Sequence, residues 1–169
     1  MKKAIFLDRD GVINDNMHPV NHPDDLIFYP WTLSALKKLN KINFPLFIVT
    51  NQGGIEMGYL SKADLHLIHE KMLKTFEDNG ITIDDIAYCP HFRTKCNCRK
   101  PSDGMLIDLA KRHSINLEIS YMIGDRSADI QAGNQAGCTS IKIGPYCAQA
   151  DYRVDNLLEA AVLIHSLES

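Results

Sequence analysis

Two carboxylates one residue apart, in Asp8-Arg9-Asp10-Gly11, follow the compact apolar run Ala4-Ile5-Phe6-Leu7. On a loop leaving a strand such a pair can share a task, one carboxylate attacking phosphorus while the other handles a proton. The same tetrapeptide also suits an ordinary strand-end turn, where Asp and Gly are common. Three further segments carry chemistry of a matching kind, each beside a plainer reading. Thr50-Asn51-Gln52-Gly53-Gly54 offers a hydroxyl, amides and free backbone N–H groups for phosphate oxygens, or is a Gly-rich turn. Arg99-Lys100-Pro101 supplies positive charge where a phosphoryl group is negative, or is a solvated basic pair. Gly124-Asp125-Arg126-Ser127-Ala128-Asp129 offers hard oxygen ligands of the sort Mg²⁺ needs, or uses Asp125 to cap a helix.

A different donor set lies just before the basic pair. Cys89-Pro90-His91 and Cys96-Asn97-Cys98 form a Cys-x-His-x₄-Cys-x-Cys pattern. Ligands of this softness, packed this densely, can close a tetrahedral zinc site with no open position, which makes it structural. Such a loop would fix Arg99 and Lys100. The other cysteines, Cys138 and Cys147, read as free, core-type thiols. His66 and His69 lack a third ligand nearby and read as an exposed helix face, and Trp31 reads as packing.

The elements that must position these groups alternate along the chain. Ala4–Leu7, Leu46–Val49 and Tyr121–Gly124 are apolar throughout, as in strands buried on both faces of a parallel sheet. Ile86–Tyr88, Ile141–Ile143 and Tyr152–Val154 are weaker strands. Leu65, Ile68, Met72 and Phe76 share a helical face, with Ser61 and Asp64 as a capping box and Gly80 ending the helix. Further helices carry Leu33, Leu36 and Leu39; Met105, Leu106, Leu109 and Ala110, opened by Ser102; residues 127 to 136, stopped by Gly137; and Leu158, Ala161, Val162 and His165. Alternation of this kind predicts an α/β, doubly wound parallel sheet. Ligands bind beyond the carboxyl ends of its strands, where Asp8, Thr50 and Asp125 stand.

With 169 residues the chain is expected to form one domain, 1–169, with an adequate core. A formal net charge of -3 argues against nucleic-acid partners, which call for a basic face. No apolar run is long enough to span a bilayer, and the start of the chain turns acidic at Asp8, too soon for a signal peptide. A cytoplasmic monomer acting on a small molecule is the expectation.

Taken in order, the four polar segments resemble the signature of the haloacid dehalogenase superfamily, and the resemblance covers nearly the whole chain. It implies that fold with no large cap domain and only the short zinc loop. It also implies Asp8 as nucleophile, Asp10 as acid and base, and Thr50 and Lys100 as phosphoryl-binding residues. Mg²⁺ would be held by Asp8, the Asp10 carbonyl and Asp125, with Asp129 supporting the loop. The zinc loop leading into Arg-Lys-Pro, and Val49–Ile55 followed by Gly58-Tyr59, are similar to the D-glycero-D-manno-heptose 1,7-bisphosphate phosphatases. Their relatives, the histidinol-phosphate phosphatases, are the alternative. An inactive, zinc-stabilised binding module is the alternative of another class. The heptose-enzyme resemblance implies a sugar-phosphate substrate met by Arg99 and Arg126, with Asn51, Gln52 and Gly53 nearby. It puts Asn16, Met17, His18 and Pro19 at the pocket mouth. The chain departs from that pattern in having His18-Pro19 where Gly-Tyr is frequent, and in its short spacing between His91 and Cys96.

Overall fold

A computed structural model describes residues 1–169. Its strands are β1 (Ile5–Leu7), β2 (Leu46–Asn51), β3 (Asp85–Cys89), β4 (Tyr121–Gly124), β5 (Thr139–Ile143) and β6 (Tyr152–Val154). They form a single sheet in the order β3-β2-β1-β4-β5-β6, every neighbouring pair parallel. Helices α1 (Thr32–Asn40), α2 (Lys62–Asp78), α3 (Gly104–His113), α4 (Ser127–Ala136) and α5 (Leu157–Leu167) connect them. Side chains alternate across the sheet, so β1 and β2 feed two cores. Ile5, Leu7, Leu46 and Ile48 pack with α1, α2 and α5, while Phe6, Phe47 and Val49 pack with α3 and α4. This two-faced burial explains why the central strands are apolar at every position.

The connection termini follow local chemistry. Ser61 and Asp64 form the expected capping box on α2, and Gly80 lies just beyond its end with φ +71°. Helix α4 begins at Ser127 and stops at left-handed Gly137. Helix α3 starts later than expected: Ser102 sits in the preceding turn, and Asp103 is the N-cap, without a side-chain capping bond. Trp31 packs on the core and stacks on Tyr29, ring centroids 4.9 Å apart. Cys138 is buried, whereas Cys147 is half-exposed in the loop after β5 and its thiol donates to Gln149, contrary to a core-type reading. No helix is long and apolar enough to cross a membrane.

Register brings the chemistry together. Leu7 pairs with both Ile48 and Ile123, so Asp8, Thr50 and Asp125 emerge side by side at the carboxyl edge of three adjacent central strands.

Candidate active site

Asp8 is nearly buried at the floor of a cavity of about 190 Å³. Its Oδ1 accepts from Lys100 Nζ at 2.9 Å, and the same ammonium meets Asp129 Oδ1 at 2.6 Å and donates to the Val49 carbonyl at 2.8 Å. Lys100 is 3% exposed. Burial opposes its charge, but Asp8 and Asp129 outweigh that and hold its pKa above the usual lysine value. Burial pushes the Asp8 carboxyl well above its ordinary range; Lys100 pulls against this, and the Asp129, Asp125 and Asp10 charges add to the rise.

Asp10 has the opposite environment. Burial would raise its pKa, but the Arg9 charge and hydrogen bonds from Asn14, Arg9 and Gln52 bring it below the ordinary value. Oδ1 accepts from Arg9 Nε and Asn14 Nδ2, both at 2.9 Å, while Oδ2 takes only the longer 3.2 Å bond from Gln52 Nε2. Oδ2 is thus the oxygen left with spare basicity.

Three carboxylates, Asp8, Asp125 and Asp129, face one ammonium, with oxygens within 4.8 Å of one another. Asp125 Oδ1 is buried without a hydrogen-bond partner, and burial followed by the Asp129 charge raises the Asp125 pKa. Unpaired buried charge is costly, and a hard divalent cation would answer both the excess charge and the orphaned oxygen. Asp129 is already committed: besides Lys100 it accepts from the Arg126 N–H at 3.0 Å, capping α4. Gly11, at φ +89°, leaves room for the Asp125 carboxylate where a Cβ would collide with it.

The cavity walls carry Arg99, Arg126, Phe92 and Met57. Arg99 lies over the Phe92 ring, 5.3 Å from its centroid, and donates to the His91 carbonyl at 2.9 Å. Cys89, His91, Cys96 and Cys98 converge beneath this wall, their ligand atoms within 4.8 Å of one another, and could hold a metal ion. Glu56 clamps the same loop from the other side. Its carboxylate accepts backbone N–H groups of Phe92 at 3.0 Å, Arg93 at 2.5 Å and Thr94 at 3.2 Å. Those bonds, Arg93's first, hold the Glu56 pKa down at about 2.

The remaining expected site residues play supporting parts in the geometry. Thr50 is buried, its hydroxyl accepting from Gln52 at 2.8 Å. Asn51 clamps the Lys100 backbone, donating to its carbonyl and accepting from its N–H, both at 3.0 Å. Gly53 lines the cavity, and a Cβ there would press on Arg99. Asn16 donates to Asp125 Oδ2 at 3.2 Å, but Met17, His18 and Pro19 are exposed and none of the four lines the cavity.

A family model described as HAD-hydrolase-like matches residues 97–145. A D-glycero-beta-D-manno-heptose-1,7-bisphosphate 7-phosphatase from Rhodopseudomonas palustris is 39% identical over 144 residues, 80% of each chain. One from Pasteurella multocida is 35% identical over the full length of both. The chain belongs to the heptose-1,7-bisphosphate 7-phosphatase family of the haloacid dehalogenase superfamily. The crystal structure of the D,D-heptose 1,7-bisphosphate phosphatase from B. bronchiseptica, complexed with magnesium and phosphate, superposes with a TM-score of 0.90. That structure is 32% identical, and the match covers 98% of this chain and 99% of that one. Membership in this phosphatase family makes the chain a phosphoric monoester hydrolase, and the inactive binding module is set aside.

Several residues in and around this site went unassigned from sequence, among them the wall residues Met57 and Phe92. Arg9 and Glu56 were given no role, although Arg9 is wholly buried, and His69 was assigned to an exposed face. His69 lies four residues after Leu65 and three before Met72, on the buried stripe of α2, and only His66 is exposed. That spacing was the available signal.

Proposed function

We propose that this chain hydrolyses the 7-phosphate of D-glycero-D-manno-heptose 1,7-bisphosphate through an aspartyl-phosphate on Asp8. The observation that carries the chemistry is the pair of contrasted carboxylates on one cavity floor. Asp8 is held in line by the Lys100 ammonium at 2.9 Å, and Asp10, which lines the same cavity, keeps Oδ2 engaged only by Gln52 at 3.2 Å.

In the first step an Asp8 oxygen bonds to phosphorus as the ester P–O bond breaks, and the leaving alkoxide takes a proton from Asp10 Oδ2. In the second, water attacks phosphorus and gives its proton to Asp10, the Asp8–phosphorus bond breaks, and inorganic phosphate leaves. The lowered pKa of Asp10 suits the second role directly, and the approach of an anionic substrate favours the protonated form required for the first. Magnesium, held by Asp8, the Asp10 carbonyl and Asp125, would neutralise charge on the phosphoryl oxygens. Lys100 lies beside the equatorial oxygens and holds the nucleophile in place.

Zinc is the metal we assign to the cysteine cluster. Tetrahedral zinc with bonds of about 2.3 Å to sulfur and 2.0–2.1 Å to nitrogen has S···S and S···N edges of roughly 3.5–3.8 Å. The Cys89–Cys96 separation is 3.7 Å, and His91 Nδ1 stands 3.5 Å from both Cys89 and Cys98 sulfurs, although Cys89 and Cys98 are closer at 2.8 Å. The role is structural, since the ligands leave no position for water.

Arg99 and Arg126 on the walls favour a bisphosphate. Guanidinium groups meet phosphate oxygens in bidentate fashion, whereas the amine of histidinol phosphate would meet like charge. The proposal places the whole of 1–169 in one domain acting as a cytoplasmic monomer. The net charge of -3 supports a small-molecule sugar phosphate as partner rather than nucleic acid. The test is a magnesium-supported panel of heptose bisphosphate, histidinol phosphate and simple sugar phosphates. The highest kcat/KM is expected for the bisphosphate, and preference for histidinol phosphate would overturn the substrate.

A further inference from the structure

Arg9 carries a guanidinium with no solvent exposure, and its side-chain nitrogens meet two partners. Nε and Nη2 reach Asp10 Oδ1 at 2.9 and 2.8 Å, and Nη1 meets His69 Nε2 at 3.1 Å. A guanidinium has five N–H donors and no lone pair to offer. The 3.1 Å contact is therefore a hydrogen bond only when His69 Nε2 accepts, which makes the imidazole neutral with its proton on Nδ1. The surroundings agree: burial, then the Arg9 charge and that of His66, outweigh the pull of Asp10 and hold His69 at about 4.

We propose that His69 is a positioning residue for the acid–base carboxylate, acting through Arg9. By accepting from Nη1 it fixes the guanidinium plane so that Nε and Nη2 both address Asp10 Oδ1. That in turn leaves Oδ2, held only by Gln52 at 3.2 Å, as the oxygen that carries the proton. Without an acceptor at position 69, Nη1 is a buried charged donor with nothing to meet, and the guanidinium relieves this by turning away from Asp10. This rests on the reading of Asp8 as nucleophile and Asp10 as acid and base.

p-Nitrophenyl phosphate with magnesium-loaded enzyme separates the two steps. Nitrophenolate leaves without a proton, so formation of the aspartyl-phosphate does not need Asp10, whereas its hydrolysis does. H69L, which cannot accept, should lower kcat roughly 10- to 100-fold and lower KM in parallel, leaving kcat/KM little changed, because only the second step is slowed. It should also release about one equivalent of nitrophenolate in a burst before the slow steady state, as expected when the second step limits. H69Q, whose amide oxygen can accept from Nη1, should recover most of the rate. Equal losses in H69L and H69Q, or a loss in H69L without the burst, would overturn the proposal. Should H69L fail to fold, imidazole nitrogen NMR of the wild-type protein decides: the Nδ1–H tautomer is expected from about pH 5 to 8. A protonated Nε2 would overturn it. Failure of the wild type to form a hydroxylamine-sensitive phosphoenzyme would overturn the Asp8 reading and this proposal together. A wild-type phosphoenzyme with an unaffected H69L overturns this proposal alone.

Discussion

At the scale of single residues, the site separates carboxylates by what surrounds each one. Asp10 balances against Arg9, while Asp8, Asp125 and Asp129 outnumber Lys100. Asp10→Asn should lower kcat on an alkyl phosphate roughly 10²- to 10⁴-fold with the fold intact, the usual worth of a general acid–base group. Near-normal alkyl phosphate hydrolysis by that variant would count against its role. His69 supplies a pH prediction. Its folded pKa of about 4 lies below the ordinary 6.5, so between those values the unfolded chain binds more protons. Stability from this residue is therefore complete above pH 6.5 and is lost as pH falls toward 4, by at most about 3 kcal/mol. Urea unfolding at several pH values should show H69Q with a flatter acid limb than wild type; parallel curves would contradict the buried, neutral histidine.

At the scale of elements, the Cys/His loop is a wall built from outside the sheet. The cysteine cluster fixes one side, Glu56 the other, and Arg99 and Phe92 are the parts that line the cavity. Metal analysis of protein purified without added zinc should find about one zinc per chain, as expected for a closed four-ligand site. Chelator-stripped protein that keeps its stability and its magnesium-dependent rate would argue against the structural role. Glu56→Gln should raise KM for the bisphosphate several-fold while leaving kcat nearly unchanged, because Glu56 holds loop backbone and touches no reacting atom. A fall in kcat at constant KM would place it nearer the chemistry. Much of this was legible beforehand: the Cys/His spacing announced the cluster, and Ser61, Asp64 and Gly137 announced helix ends through local capping rules. The Glu56 clamp was not, because it joins segments 36 to 38 residues apart through backbone N–H groups, which no side-chain pattern records.

At the scale of the molecule, the parallel order β3-β2-β1-β4-β5-β6 puts β1 centrally, so the first and fourth polar segments face each other across neighbouring strands. Apolar runs and their polar ends carried that information, since a strand buried on both faces leaves polarity only at its tip. The Arg9–His69 link was hidden for the converse reason. A buried hydrogen bond between a charged strand-end residue and a neutral helix histidine interrupts two apolar patterns at once, and each interruption alone looks like exposure. The cavity's two arginines make the substrate prediction a molecular one: Arg126→Ala should reduce kcat/KM for heptose bisphosphate more than for a simple sugar monophosphate, through binding at the remote phosphate. Equal losses would remove Arg126 from substrate recognition. The central claim, covalent catalysis by Asp8, is tested most directly by rapid quench of wild-type enzyme with magnesium and radiolabelled heptose bisphosphate. Label should appear on the peptide containing Asp8, be released by hydroxylamine, and be absent from folded Asp8→Asn protein that no longer turns over. Label on another residue, or an Asp8→Asn enzyme retaining substantial activity, would contradict it.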